Sequence, residues 1–290
     1  MIGIMAARCA PKGMKGRPMR WVICTLLLLA FTPRALADDF DVLRGSQPVG
    51  PATFTRWSGF YFGGQIGYGD ANVDFSGATA PLVAFSLRNT QVQQQAIPSQ
   101  WQVLSKAADN AVGYGGFLGY NTQWQDLILG VEANYTHTSL NATATSSPIS
   151  RLVSVGNVAT VSISKASGNL DLTDYAEVRG RAGYIVGNLL PYGFVGFVVG
   201  RGNYSVSATT DATCAIPNSA STAGCEGFPI TSSAGRDNAL LYGFSVGGGL
   251  DWALTQNVFL RGELEYVQFA PISNISVYIV NARAGAGFKF

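Results

Sequence analysis

Eight charged residues sit inside segments of alternating polarity: Glu132, Glu177, Arg179, Arg181, Arg261, Glu263, Glu265 and Arg283. Glu177, Arg179 and Arg181 are spaced at every second residue, as are Arg261, Glu263 and Glu265, and that spacing places side chains on one face of a β-strand. Four carboxylates and four guanidiniums on one face support two kinds of chemistry. In a narrow enclosure they pair and fill the space. Around a wider, wet enclosure they line a charged path, or a gate that opens when pairs exchange. Equal numbers of opposite charge favour the filled interior if the enclosure is an eight-stranded barrel. Parity alone does not say which acid meets which base.

Other chemistry is sparse. His137 is the single histidine, and His137-Thr138-Ser139 puts an imidazole and a hydroxyl on the same strand face. A surface hydrolase needs those two groups, together with an orienting acid and an oxyanion hole. No acid of matching parity on the neighbouring strand is well placed, so polar residues at the end of an apolar strand are the expected reading. Imidazole also ligates haem iron, although one histidine does not make a haem site. Gly64-Gln65-Ile66-Gly67-Tyr68-Gly69 and Gly247-Gly248-Gly249 are followed by no helix and do not cradle phosphate. Gln93-Gln94-Gln95, with Trp101 nearby, reads as solvated loop. No catalytic residue, cofactor site or metal site is expected.

The elements that position the charges are strands. The last segment, Val277 to Phe290, sets Tyr278, Val280, Ala282, Ala284, Ala286, Phe288 and Phe290 against Asn281, Arg283, Gly285, Gly287 and Lys289. The same alternation predicts strands from about Gly59, and over Val112–Trp124, Leu127–His137, Thr173–Val186, Leu190–Val206, Leu240–Trp252 and Val258–Phe269. That makes eight. In the fifth both faces are apolar, with Tyr192, Phe194 and Val198 opposite Val195, Phe197 and Val199, so its orientation is open.

The links alternate in length. Gln125-Asp126, Gly187-Asn188 and Thr255-Gln256-Asn257 are tight turns, whereas Ser76–Asn110, Leu140–Leu172 and Ser207–Ala239 are long. The last link, Ala270–Ile275, is short. Val158–Ile163 also alternates, extending the fourth strand beyond the apolar layer. Aromatics sort into two levels on the apolar parity, Trp124, Tyr192, Trp252 and Phe290 at the short-turn end and Tyr68, Tyr114, Tyr135, Tyr242 and Tyr266 at the other. Together these predict an all-β, eight-stranded antiparallel up-and-down transmembrane barrel with long extracellular loops and short periplasmic turns.

Residues 1–37 read as a signal peptide. A basic start (Lys12, Lys15, Arg17, Arg20) precedes an apolar run from Trp21 to Phe31, and Ala35-Leu36-Ala37 suits cleavage. Met14 is an alternative start to Met1 and gives a more ordinary basic region. Residues 38–56 form an extension in the periplasm, and 57–290 form the barrel. Of the chain's 19 Lys+Arg, six precede residue 38; none of its 17 Asp+Glu does. The remainder is therefore net acidic and holds just three lysines, Lys106, Lys165 and Lys289. Such a charge argues against nucleic acid, and so few charges argue against a soluble globule. Cys214 and Cys225, with ten residues between them, suit a disulfide in an oxidising compartment; free thiols and a metal pair are the alternatives.

Trp57-Ser58-Gly59-Phe60-Tyr61-Phe62-Gly63-Gly64 resembles the opening strand of the small outer-membrane β-barrel surface antigens of alpha-proteobacteria. The resemblance continues through Gly116-Phe117-Leu118-Gly119-Tyr120-Asn121, Gly130-Val131-Glu132-Ala133, Arg179-Gly180-Arg181-Ala182-Gly183-Tyr184 and Gly287-Phe288-Lys289-Phe290. It covers about Trp57 to Phe290, without the loops. It implies a barrel related to the OmpA transmembrane domain, inserted by the barrel-assembly machinery that reads the terminal strand ending in Phe290. Members of such a family are surface antigens, envelope-stabilising proteins, small porins or haemin binders. With the barrel ending the sequence, direct anchoring to the cell wall is not expected.

The expected function is a non-enzymatic integral outer-membrane protein, surface-exposed and envelope-stabilising, with a lumen plugged by ion pairs. The rivals are a narrow porin-like diffusion channel and then a haemin-binding surface protein. Expected partners are outer-membrane lipid, lipopolysaccharide and the assembly machinery; what the loops bind is open.

Overall fold

The protein's structure is a computed structural model. It describes residues 56–88, 93–94, 97–155, 157–215 and 228–290, with backbone alone at 153–155, 157–160 and 213–215. Cys225, the side chain of Cys214, the predicted signal peptide and the predicted extension up to residue 55 lie outside the described residues.

Nine strands form one antiparallel sheet: β1 (Gly59–Asp74), β2 (Lys106–Trp124), β3 (Leu127–Thr145), β4 (Ile149–Val155), β5 (Asn157–Tyr184), β6 (Leu189–Ala215), β7 (Ile230–Ala253), β8 (Val258–Ile272) and β9 (Ile275–Lys289). Eight of them close a ring. β1 pairs with β9 from Tyr61 opposite Lys289 to Asp74 opposite Ser276. β3 pairs with β5 from Leu127 opposite Tyr184 to Thr145 opposite Ser167. The ninth, β4, pairs with β5 where β3 leaves off. Pro148, which has no amide hydrogen, stands between the two. Ser146 bridges the gap with Ala166: its amide donates to the Ala166 carbonyl at 2.9 Å, and the Ala166 amide donates to its hydroxyl at 2.8 Å.

Local chemistry sets the hairpins. Gln125, with φ of 55°, and Asp126 close β2–β3, and Gly187, with φ of 61°, begins the turn between β5 and β6. The predicted link Ala270–Ile275 is tighter still. β8 and β9 run up to Ser273 and Asn274, whose φ values of 48° and 62° are the pair a two-residue hairpin turn requires.

Two of the three segments predicted as long loops are instead largely strand, and the first gives up its last five residues to β2. β2 begins at Lys106, β3 reaches Thr145, β5 begins at Asn157, and β6 and β7 extend to Ala215 and from Ile230. What remains of the first loop includes a short helix, α1 (Ala80–Ser86), and a 3₁₀ turn at Pro98–Gln100. The extensions are stable because their inward residues bury a core. Val73, Phe75, Leu140, Val161, Ile163, Leu170, Leu172, Phe269 and Ile275 pack there with Val83, Leu87, Trp101 and Leu104 from the first loop.

The open orientation of β6 is settled by burial. Tyr192, Phe194 and Val198 face the lumen and Val195 and Phe197 face out. Tyr192 therefore does not belong to the exterior aromatic belt in which its position had placed it. Trp124, Trp252 and Phe290 are exposed at the short-turn end, and Tyr68, Tyr114, Tyr135 and Tyr242 at the other.

Candidate functional site

All eight charged residues face the lumen and are buried. Three pairs or near-pairs come directly from strand register: Glu132 opposite Arg179, Glu263 opposite Arg283, and Glu265 opposite Asn281. The remaining contacts cross the ring. Arg179 reaches Glu263 at 2.5 Å and Glu177 at 3.4 Å while also bonding Glu132. Arg261 reaches Glu132 at 2.8 Å, and Arg181 reaches it at 3.2 Å. Arg283 meets Glu265 at 2.6 Å and Glu177 at 3.1 Å. Glu132 thus receives three arginines.

The sequence-derived set omitted one member. Asp251 is buried on the same parity and accepts from Arg261 Nε at 2.8 Å and Arg181 Nη2 at 2.7 Å. It lies opposite Arg261 in the β7–β8 ladder. Its parity with Gly247 and Gly249 was visible in the sequence; its pairing with β8 was not. With it, five carboxylates face four arginines, so the set is not charge-balanced as the sequence count suggested.

Hydroxyls and amides complete the network. Tyr61 donates to Glu132 at 2.6 Å, Tyr192 to Glu263 at 2.5 Å, Ser245 to Glu177 at 2.8 Å and Asn281 to Glu265 at 2.8 Å. The guanidiniums also stack on rings: Arg181 lies 3.8 Å from the centre of Tyr192, Arg179 4.0 Å from Phe194 and Arg261 4.0 Å from Phe117. Glycine makes the room. A Cβ at Gly249 would stand 2.6 Å from the Tyr192 hydroxyl, and one at Gly119 would collide with that of Tyr61.

Above and below the charges the lumen is apolar. Toward the short turns, Trp57, Tyr61, Phe117, Ile128, Leu190, Phe194 and Phe259 form an aromatic-rich floor. Lys289 caps it, with Nζ 3.9 Å from the Trp57 ring and 2.8 Å from the Arg56 carbonyl. Toward the other end lies the core of the extended strands. Between charges and upper core is a small cavity lined in part by the polar side chains of Gln65, Thr136, Thr138, Tyr175, Asn281 and Arg283.

On the exterior, His137 Nδ1 lies 2.8 Å from Asp174 Oδ1, and Tyr135 donates to the same oxygen at 2.7 Å. An orienting acid for His137 is therefore present on β5, where sequence parity had found none. Register brings it: Asp174 stands opposite His137. Ser139 is two residues further along the same face of β3, and among the described residues no hydrogen bond joins its hydroxyl to the imidazole. Among the described residues no three of His, Cys, Asp and Glu gather as a metal site requires.

Comparison with known proteins agrees with this architecture. Residues 26–290 match the family model described as the outer membrane protein beta-barrel domain. Solved structures similar to this chain include Neisserial surface protein A, at 14% identity over 80% of this chain and 98% of that one, with a TM-score of 0.36. Ail, the attachment invasion locus protein of Yersinia pestis, is 14% identical over 80% and 99%, with a TM-score of 0.31. The outer membrane protein OprG from Pseudomonas aeruginosa is 12% identical over 80% and 96%, with a TM-score of 0.33. No curated protein matches the chain. A closed antiparallel ring, apolar outside and charged within, together with a family match over nearly the whole sequence, makes this chain a member of the outer-membrane β-barrel domain family, resident in the outer membrane.

Proposed function

We propose that this protein is a non-enzymatic, non-conducting barrel of the small surface-antigen type, which stabilises the outer membrane and presents its outer half at the cell surface. Its lumen is plugged by the ion-pair network, its wall is held in outer-membrane lipid and lipopolysaccharide, and the assembly machinery recognises its terminal strand through Phe290. One observation carries this reading. The lumen is filled at three successive levels: aromatic floor, charged layer and apolar upper core. A water path would have to cross all three.

An enzymatic reading gains the His137–Asp174 pair but has no hydroxyl or thiol bonded to that imidazole among the described residues. Conductance of the refolded protein in a planar bilayer tests the plug. Folded barrels, shown by heat-modifiable migration on a gel, are expected to give no steps. Stable steps that change with Glu263→Gln would make the charged layer a pore lining and replace this proposal with a narrow diffusion channel.

A further inference from the structure

The exterior of β3, β5 and β6 carries two shallow grooves that stand end to end along β5. The upper, about 320 Å³, is lined by Leu118, Ala133, Tyr135, Ala176, Phe197 and Val199. The lower is walled by Leu129, Ala182, Val195 and Val246 around Gly180 and Gly193. Both exist because small residues on β5 lie between larger ones on its neighbours: Ala176 is opposite Tyr135 and Val199, and Gly180 is opposite Val131 and Val195. From Ala176 to Ala182 the strand covers roughly 20 Å at about 3.3 Å per residue. At a tilt of about 45° that is close to one leaflet of a ~30 Å hydrocarbon core.

The row above the grooves is charged. Across β3, β5 and β6 it reads His137, Asp174, Arg201, each opposite the next. Asp174 is engaged by the tyrosine and histidine on β3. Arg201 is exposed and meets only a neutral partner: its Nε and Nη2 bond Asn238 Oδ1 at 2.9 and 2.6 Å. Among the described residues no carboxylate pairs with it. A guanidinium at the level of the tyrosine belt, with no carboxylate paired to it among the described residues and above two apolar grooves separated by outward Val178, is complementary to a lipid with an anionic headgroup.

We infer that the β3–β5–β6 face is a binding site for one phosphorylated outer-leaflet glycolipid, with an acyl chain in the β5 grooves and a phosphate on Arg201. The inference deepens the proposed contact with lipopolysaccharide and is independent of whether the lumen conducts. A second copy of the chain could cover the same grooves but would leave Arg201 without an anion, which disfavours it.

Native mass spectrometry of the refolded mature protein, with bisphosphorylated lipid A and its fully dephosphorylated form as probes, tests it. One bisphosphorylated lipid A per barrel is expected, retained at least tenfold better than the dephosphorylated form. Arg201→Gln, a surface change that leaves the barrel intact, should abolish that preference. Ala176→Leu should lower retention of both forms, whereas Ala284→Phe, on the lipid face of β9, should change neither. Equal retention of the two probes would overturn the inference, as would indifference to Arg201→Gln or an equal loss with Ala284→Phe. So would a dimer that dissociates on Ala176→Leu.

Discussion

On β3, Val131, Ala133 and Tyr135 point outward while Glu132, Asn134 and Thr136 point into the lumen. Further along the same strand Leu140, Ala142 and Ala144 point inward, and Asn141 and Thr143 point outward. The side-chain period never breaks; the polarity of the two faces exchanges. β9 repeats this, with Asn281 and Arg283 inward at one level and Val277 and Ile279 inward at the next. So does β8, where Arg261, Glu263 and Glu265 give way to Val267 and Phe269. The exchange falls at the level of Tyr68, Tyr135 and Tyr266. Below it the exterior meets lipid, and the polar residues are inside, paired. Above it the exterior meets water, and the apolar residues are inside, packed. One continuous ring is thus two proteins in energetic terms: a membrane barrel held by charge pairing, and a soluble-type barrel held by the hydrophobic effect.

The outer half shows the second logic on its surface as well. Asn141 bonds Asp171, Thr143 bonds Asn169 at 2.8 Å and Ser167 bonds Ser207 at 2.8 Å, all across strands and facing water. These cross-strand pairs stabilise by tenths of a kcal/mol to about 1 kcal/mol each, and polar exteriors of this kind cannot be set in lipid.

The comparison breaks most visibly through its two interiors. Arg179→Met removes one cation from three carboxylates, and leaving buried charge unpaired costs about 3–5 kcal/mol. Loss of the heat-modifiable band, or a matching fall in urea stability in micelles, is expected. Phe75→Ala empties the upper core at about 3–5 kcal/mol. Its effect should be confined to the outer half: new protease cuts above the tyrosine belt, with the membrane band still heat-modifiable. If Phe75→Ala abolishes assembly as Arg179→Met does, the two halves are one cooperative unit.

The exterior gives a smaller and sharper contrast on one strand. Val178 and Asn169 both face outward from β5. Val178→Lys puts a charge against lipid and should cost about 2–4 kcal/mol near mid-membrane; Asn169→Lys should stay within about 0.5 kcal/mol. Equal costs by urea titration would place the membrane boundary elsewhere. The smallest effect concerns acid. The hydroxyl and amide of Ser76, and then Lys106 at 3.3 Å, hold the Asp74 carboxyl below its usual range. A depressed carboxylate contributes its stability in full above the unfolded value, about pH 4, and loses it as pH falls through the folded one. Proteolysis of the outer half should therefore rise slightly below about pH 4 in the native protein, and Asp74→Asn should remove that pH dependence.

Alternation and turn residues by themselves determined the eight barrel strands, their tight turns and the parity on which Glu132, Glu177, Arg179, Arg181, Arg261, Glu263, Glu265 and Arg283 lie. Those are local properties, fixed by a period of two residues and by turn conformations, and they survive in a linear reading. The exchange of polarity beyond the tyrosines was also written there, in Leu140-Asn141-Ala142-Thr143-Ala144 and in Val161 and Ile163, but it resembles solvated loop until a closed ring gives those side chains an inside. Tyr192 shows the same limit, since a strand apolar on both faces does not declare its interior. The partners of Glu132, the entry of Asp251 into the network, and Asp174 beside His137 were decided only by tertiary structure. Each depends on strand register or on distance across the lumen, and a local period carries neither.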